Sequence, residues 1–171
     1  MSLLTYSQQQ AIKPISENNQ DKFAQLEKEV ENKELTKLLG VDFLQDIQND
    51  PESYDDILDE HEFINVRGNS IIHKGLRYVI AYMVFSKYIG ESMVEDTFSG
   101  FVIKQRQDAQ TIQEGTIRRL QEDNRQLALM AWQTIKEFIN KNSDDYPNWT
   151  SSYKKIYRPI FRGIKKINYG R

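Results

Sequence analysis

The sequence contains no cysteine among its 171 residues. This absence excludes disulfide scaffolds, thiolate zinc sites, iron–sulfur clusters and cysteine nucleophiles, and it favours a reducing compartment. Glycine-rich phosphate loops are missing as well, because the eight glycines are scattered and match neither GxGxxG nor GxxxxGK[ST]. We therefore predict no cofactor and no nucleotide-hydrolysing site of the usual kind.

Long hydrophobic runs are also scarce. The N-terminal residues MSLLTYSQQQAIKP lack the basic region and the sustained apolar stretch of a signal peptide, so we expect the protein to stay in the compartment where it is made. The most apolar run, residues 75–90, is shorter than the roughly 20 residues that cross a bilayer, and it carries two bases. No membrane contact is predicted.

The chain contains enough apolar and aromatic residues for one small hydrophobic core. Apolar residues make up 39% and charged residues 28%, and there are 8 Phe, 9 Tyr and 2 Trp. A chain of this length and composition folds as a single domain. Mostly helical apolar spacing predicts a mainly α fold. We expect a bundle of about four to five helices, with a central apolar helix, a long C-terminal helix, an inserted extended loop or β-hairpin, and extended terminal arms.

Charge is divided unevenly along the chain. Residues 1–62 hold 15 acids against five bases, residues 63–152 hold 10 acids and 11 bases, and residues 153–171 hold seven bases and no acid. An acidic front and a basic tail predict that the tail meets either nucleic acid or an acidic protein surface, which includes that of another copy. A solvated tail without a partner is the remaining alternative.

The first half of the chain shows two helical patterns. Phe23, Leu26 and Val30 share one face of an otherwise charged segment that follows possible caps at 18–19. Gly40 is a plausible C-terminal stop. A second short helix follows it and ends at Asp50-Pro51. The acidic residues 51–62 are predicted to form a solvent-facing turn or short helix.

The second half carries the strongest pattern. Residues 75–90 are apolar or aromatic around most of a helix. We expect part of this surface to pack on another subunit, because the remaining helices are polar. Residues 91–110 lose the helical period and are predicted to form an extended loop or short hairpin. A capping-box pattern at 111–114 opens a helix of roughly 113–141, in which we predict Trp132 and Phe138 to be core residues.

These patterns divide the chain into an N-terminal arm (1–17), a helical domain (18–142) that contains the loop 91–110, and a basic aromatic C-terminal arm (143–171). The arm alternates bases with large apolar residues, and Pro159 and Gly163 interrupt any continuous helix. Such a segment is expected to order on a partner. The predicted interface residues of the arm are Tyr153, Lys154, Lys155, Tyr157, Arg158, Ile160, Phe161, Arg162, Lys165 and Lys166.

Catalytic chemistry has little support. His61 lies among acids, but adjacent residues point in different directions, and His73 lacks a matching ligand set. We therefore predict no metal. Serine, histidine and acid residues are present without a recognisable nucleophile elbow. An acidic site around Asp55, Asp56, Asp59 and His61 remains as a minor enzymatic alternative.

Residues 75–141 also carry a resemblance. The order of an apolar aromatic helix (GLRYVIAYMVFSKYI), an extended stretch (EDTFSGFVIKQ) and a long helix with a small-residue centre (RLQEDNRQLALMAWQTIKEFI) resembles the head-to-tail connector, or adaptor, proteins of tailed phages. It is most similar to the branch from phages of gut Bacteroidetes, including the crAss-like group. The upstream ELTKLLGVDFLQDI resembles the early helix turn of that family, so the match covers roughly 20–142.

The resemblance implies a virion protein without enzymatic activity, assembled in the host cytoplasm. It implies a homo-oligomeric ring, typically of twelve subunits, that lies beneath the portal vertex, extends the channel for packaged DNA and meets the next tail component. It also implies intersubunit or portal contacts through Thr97 to Gln105, which include Thr97, Phe98, Gly100, Phe101, Val102 and Ile103. The alternative for Phe98 and Phe101 is that they are core residues. The C-terminal arm and the acidic front depart from the family pattern.

One alternative function stays open beside this one. The tail has seven bases with interleaved aromatics, which also suits a nucleic-acid-binding accessory protein whose side chains grip phosphates and stack on bases. The sequence has no zinc-finger or basic-zipper motif. The helices before Pro51 are acidic and would repel nucleic-acid phosphates.

Overall fold

The computed structural model of the chain describes residues 2–16, 20–92, 94–97, 100–103 and 114–150. These residues form a mainly α fold with an inserted hairpin, which confirms the predicted fold class. The α-helices are α1 (Tyr6–Ile12), α2 (Gln20–Glu29), α3 (Thr36–Leu39), α4 (Val41–Asn49), α5 (Asp55–Leu58), α6 (Leu76–Ser92) and α7 (Glu114–Lys141).

The predicted one-faced helix is α2. Phe23, Leu26 and Val30 are all buried, as their spacing requires. A π-helical turn (Val30–Leu35) joins α2 to α3 without a break. Gly40 then ends α3 with φ of 83°, a backbone conformation that glycine adopts without strain.

The helix after Gly40 also follows the prediction. The helix α4 packs its apolar side inward and ends at the residue before Asp50-Pro51. A 3₁₀ turn (Pro51–Tyr54) and α5 continue the acidic segment, as a turn with a short helix. The prediction for this segment is wrong in two respects: Ile57 and Leu58 are buried instead of solvent-facing, and residues 61–62 belong to a β-strand.

The centre of the molecule is the antiparallel pair of α6 and α7. Ser86 Oγ donates to the carbonyl of Gln121 at 2.7 Å, so the C-terminal end of α6 meets the N-terminal part of α7. The observed α7 agrees with the predicted 113–141 to within one residue, although residues 111–113 of the capping box lie outside the described residues. Trp132 and Phe138 are buried, as predicted.

The N-terminal segment, predicted to be an arm, packs on this centre. Leu3, Leu4 and Ile15 are buried. The side-chain Nε2 of Gln9 in α1 donates to the backbone carbonyl of Ala81 in α6 at 3.3 Å. The ammonium of Lys13 lies 4.9 Å from the ring centre of Phe85. The chain therefore covers more of the apolar helix by itself than its sequence suggested, because α1 supplies a face that the arm assignment left out.

Two antiparallel hairpins complete the fold. Strand β1 (His61–Ile64) pairs with β2 (Ser70–His73), with His61 opposite His73. This hairpin was not predicted. Strand β3 (Val94–Thr97) pairs with β4 (Gly100–Ile103), with Thr97 opposite Gly100. The second pair confirms the hairpin predicted within 91–110.

The last described residues belong to the core instead of an arm that begins at 143. Tyr146 and Trp149 are buried. The indole N–H of Trp149 donates to Asn140 Oδ1 at 2.9 Å, and its ring lies 6.0 Å from that of Trp132. Residues 151–171 lie outside the described residues. Among the residues that are described, no helix combines the length and the apolar character needed to cross a bilayer.

Candidate interaction surfaces and buried polar sites

The predicted interface loop is placed only by its backbone. Thr97 ends β3, while Gly100, Phe101, Val102 and Ile103 form β4. A two-residue connection between the strands contains Phe98, which lies outside the described residues together with 104–113. The hairpin is inserted between α6 and α7.

The predicted interface residues of the C-terminal arm lie outside the described residues. These are Tyr153, Lys154, Lys155, Tyr157, Arg158, Ile160, Phe161, Arg162, Lys165 and Lys166. Their interface role stays a prediction.

The four residues of the enzymatic alternative face different partners. Asp59 pairs with Arg77, and Asp56 accepts a hydrogen bond from the hydroxyl of Tyr146 at 2.5 Å. The ring of His61 packs 5.3 Å from that of Phe138. Asp55 is exposed at the start of α5. The structure does not bring these four side chains to one point, and no group of three metal-binding side chains occurs in the described part of the chain.

A buried histidine under the first hairpin was missed by the sequence reasoning. His73 is only 1% exposed, and its Nδ1 accepts a hydrogen bond from the backbone N–H of Gly75 at 3.2 Å. Burial, with a smaller contribution from His61, lowers the pKa of His73 to about 4. Its Nε2 has no hydrogen-bond partner among the described residues. His73 therefore acts as a neutral core side chain at neutral pH.

A second buried polar site lies beneath the N-terminal segment. Glu27 and Glu31 are 5% and 6% exposed. The backbone N–H of Leu3 donates to Glu31 Oε1 at 2.9 Å, the hydroxyl of Ser2 donates to Glu27 Oε1 at 2.6 Å, and Gln48 Nε2 donates to Glu31 Oε2 at 3.1 Å. Burial, together with the neighbouring Glu27 carboxyl, raises the pKa of Glu31 to about 7. The two carboxyls thus fix the N-terminal segment to α2 and the π-helical turn.

The spacing of these carboxyls carried a signal that the sequence reasoning overlooked. Glu27 follows Phe23 by four residues, and Glu31 precedes Leu35 by four. Both therefore belong to the buried face of the helix and not to its charged side.

Among the described residues, exposed large apolar side chains cluster on the first hairpin and on α7, and Val41 at the start of α4 is a further single one. On the first hairpin Ile64, Val66 and Ile72 are 57%, 80% and 53% exposed. We call these three residues the hairpin patch. On α7 Leu120, Leu127 and Met130 are 41%, 46% and 67% exposed, and we call them the α7 stripe. Exposed apolar clusters on a small protein mark candidate contact surfaces.

The negative charge of the first third of the chain is concentrated on one stretch. Between Lys37 and Arg67 there are nine carboxylates and neither lysine nor arginine. Burial, followed by the negative charges of Asp46 and Asp50, raises the pKa of Tyr54 above its usual value. A strongly negative potential therefore surrounds α4 and the 3₁₀ turn.

The comparisons with known proteins give one match. The model of a family of unknown function, DUF6712, matches residues 35–159. The chain belongs to this family. The DUF6712 region begins at the end of the π-helical turn and leaves α1 and α2 outside it. It extends into the basic tail as far as Pro159. No curated protein and no solved structure matches the chain.

Proposed function

We propose that this DUF6712 protein is a structural subunit of a tailed-phage virion that forms a ring at the portal vertex. The ring joins the portal to the next tail component and extends the channel through which packaged DNA passes. The observation that carries the proposal is the order of elements from α6 to α7, with the β3–β4 hairpin between them. That order matches the arrangement on which the resemblance to connector proteins rests.

The exposed apolar surfaces supply physical support for assembly. The hairpin patch and the α7 stripe consist of different residues on different elements. A ring needs such a pair of unlike surfaces, because each subunit meets its two neighbours through different faces. A symmetric dimer would need only one self-complementary surface.

Sedimentation of the purified chain tests this assembly. Met130→Asp places a charge in the α7 stripe, where the side chain is 67% exposed, so its folding should be little affected. We expect the wild-type chain to sediment as a closed oligomer and Met130→Asp to shift toward monomer with an unchanged helical content by circular dichroism. Ala24→Asp, at an exposed position of α2, introduces the same charge outside both contact surfaces and should still assemble. A monomeric wild-type chain at high concentration would contradict the proposal.

Nucleic-acid binding is the second candidate function. It is favoured by the seven bases and interleaved aromatics of residues 153–171. If the tail serves protein docking, deleting residues 153–171 should leave DNA affinity unchanged. A large loss of affinity with a steep salt dependence in the intact chain would favour nucleic acid as the partner.

A further inference from the structure

The outer side of α4 and the following 3₁₀ turn carries four carboxylates. We call Asp42, Asp46, Asp50 and Glu52 the acidic face. Among the described residues none of the four forms an ion pair. Asp50 accepts a hydrogen bond from Ser53 at 2.6 Å, which leaves its negative charge uncompensated.

An apolar residue and an aromatic ring accompany these charges. Val41, next to Asp42, is 64% exposed. Tyr54 is half-buried, with its ring 5.8 Å from that of Phe43. The acidic face therefore offers apolar contact beside negative charge, and a partner that fits it carries bases interleaved with apolar side chains.

The described chain ends at this same face. The side-chain amide of Asn148 donates to Asp46 Oδ2 at 2.6 Å, and the ring of Trp149 lies 5.5 Å from that of Phe43 in α4. Two side chains of the last described segment thus fix its position on α4. Each further residue spans at most about 3.6 Å, so Lys154 lies within about 18 Å of Trp149.

We propose that the basic C-terminal segment, residues 153–171, docks on the acidic face of its own chain. The segment has seven bases, no acid, and apolar residues that include Ile156 and Tyr157, which is the pattern that the acidic face fits. Because Asn148 is hydrogen-bonded to Asp46 only five residues before the segment begins, the tether gives the segment a high effective concentration at this face. A second copy or a nucleic acid has no such advantage.

The docking has a consequence for the choice of partner. While the segment lies on the acidic face, the four carboxylates offset at most four of its seven bases, and the face is covered. A nucleic acid must then displace the acidic face before it binds the basic segment. A neighbouring subunit must displace the segment before it binds the acidic face. This inference does not depend on the proposed ring and applies equally to a monomer.

Paramagnetic broadening in NMR spectra of the full chain tests the docking. The absence of cysteine allows a single spin label at Asn168→Cys. Isotope-labelled chain carrying the spin label is diluted into an excess of unlabelled, label-free chain. The triple variant Asp42→Asn/Asp50→Asn/Glu52→Gln removes three charges from the face and keeps Asp46, which holds Asn148.

A control removes the same charge elsewhere. Asp21→Asn/Glu122→Gln/Asp123→Asn changes three exposed acids on α2 and α7, while the tether and the acidic face stay intact. We expect broadening of the α4 amides in the wild-type chain and in this control. In the triple variant the ratio of docked to free segment should fall about fivefold. About 1 M salt should abolish the broadening in the wild-type chain and in the control.

Three results would overturn the proposal. Absence of broadening at α4 would mean that the segment does not dock there. Equal broadening in the triple variant and the control would mean that the tether alone, without the charges, brings the label near. Broadening that disappears when the labelled chain is diluted with the unlabelled chain would mean that the segment docks on another copy.

Discussion

Glu31 and His73 are both buried, one beneath the N-terminal segment and one beneath the first hairpin. Burial disfavours the charged form of each group, yet the two pKa values move in opposite directions because the charged forms differ. The pKa of Glu31 rises from 4.5 to about 7, and that of His73 falls from 6.5 to about 4. One physical cause therefore gives two regions of the molecule opposite responses to pH.

The sign of each response follows from proton binding in the folded and unfolded states. Between about pH 4 and 6.5 the unfolded state holds a proton on His73 that the folded state does not, so stability rises with pH and then stays level. Between about pH 4.5 and 7 the folded state holds the extra proton on Glu31, so stability falls as pH rises. Where these windows overlap, the two slopes oppose each other, and these two groups together leave stability nearly independent of pH.

The largest predicted effect on the free energy of unfolding comes from removing an aromatic ring that packs against His73. The ring of Phe138 lies 5.0 Å from that of His73 and 5.4 Å from that of Phe63. Phe138→Ala should lower the free energy of unfolding by about 3 to 5 kcal/mol, since it leaves a cavity in a packed cluster.

The same substitution should bring the His73 pKa back toward 6.5, because water reaches the ring. Chemical denaturation gives the stability, and NMR titration of the imidazole gives the pKa. Gln25→Ala on α2 is the control and should change neither, since its side chain is exposed. A Phe138→Ala variant with wild-type stability would show that this cluster is not packed as described.

Replacing His73 leaves only the Glu31 contribution to the slope of unfolding free energy against pH. In His73→Leu the rise in stability between pH 4 and 6.5, about 3 kcal/mol over the full window, should vanish. The fall caused by Glu31 should then be visible from pH 4.5 to 7. Gly75 loses its hydrogen-bond acceptor in this variant, so absolute stability changes too, and the slope of unfolding free energy against pH is the informative measurement. An unchanged slope would mean that His73 titrates normally.

Replacing the carboxyl has a smaller predicted effect, because Glu27 remains beside it. Glu31→Gln keeps the carbonyl oxygen that accepts from Leu3 and removes the ionisation. Relative to wild type, we expect a gain of about 2 kcal/mol in stability at pH 7.5 over that at pH 5.

The charged and polar groups that face this site are Glu27 on α2, Ser2 in the N-terminal segment, Gln48 on α4, and Arg77 on α6, which donates to the Leu3 carbonyl. Glu52→Gln, at an exposed position, is the matched control and should leave the pH profile unchanged. A profile of Glu31→Gln identical to that of the wild type would contradict the raised pKa of Glu31.

The sequence predicted the elements whose apolar residues repeat with a helical period. Phe23, Leu26 and Val30 identified α2, and the apolar run at 75–90 identified α6 with its end misplaced by two residues. The second hairpin was predicted because Gly100 lies between β-prone residues. These patterns are local, so a single sequence contains them.

Features that depend on tertiary contacts were not predictable in the same way. The first hairpin has strands of only four residues, and polar His61 and His73 end the pair. The N-terminal segment contains few apolar residues, yet Leu3 and Leu4 are buried. They are buried because the segment packs on α6 and is held by the hydrogen bond from the Leu3 backbone N–H to Glu31. The burial of Glu31 and His73 likewise depends on residues distant in sequence, which periodicity does not reveal.

The central claim is that copies of this chain assemble with one another on a portal. An electron micrograph of the purified full chain mixed with a portal protein encoded in the same genome tests it most directly. The account predicts closed rings, of twelve subunits by the resemblance, seated on one end of the portal. Separate monomers beside bare portals, at a concentration well above that of the portal, would contradict it.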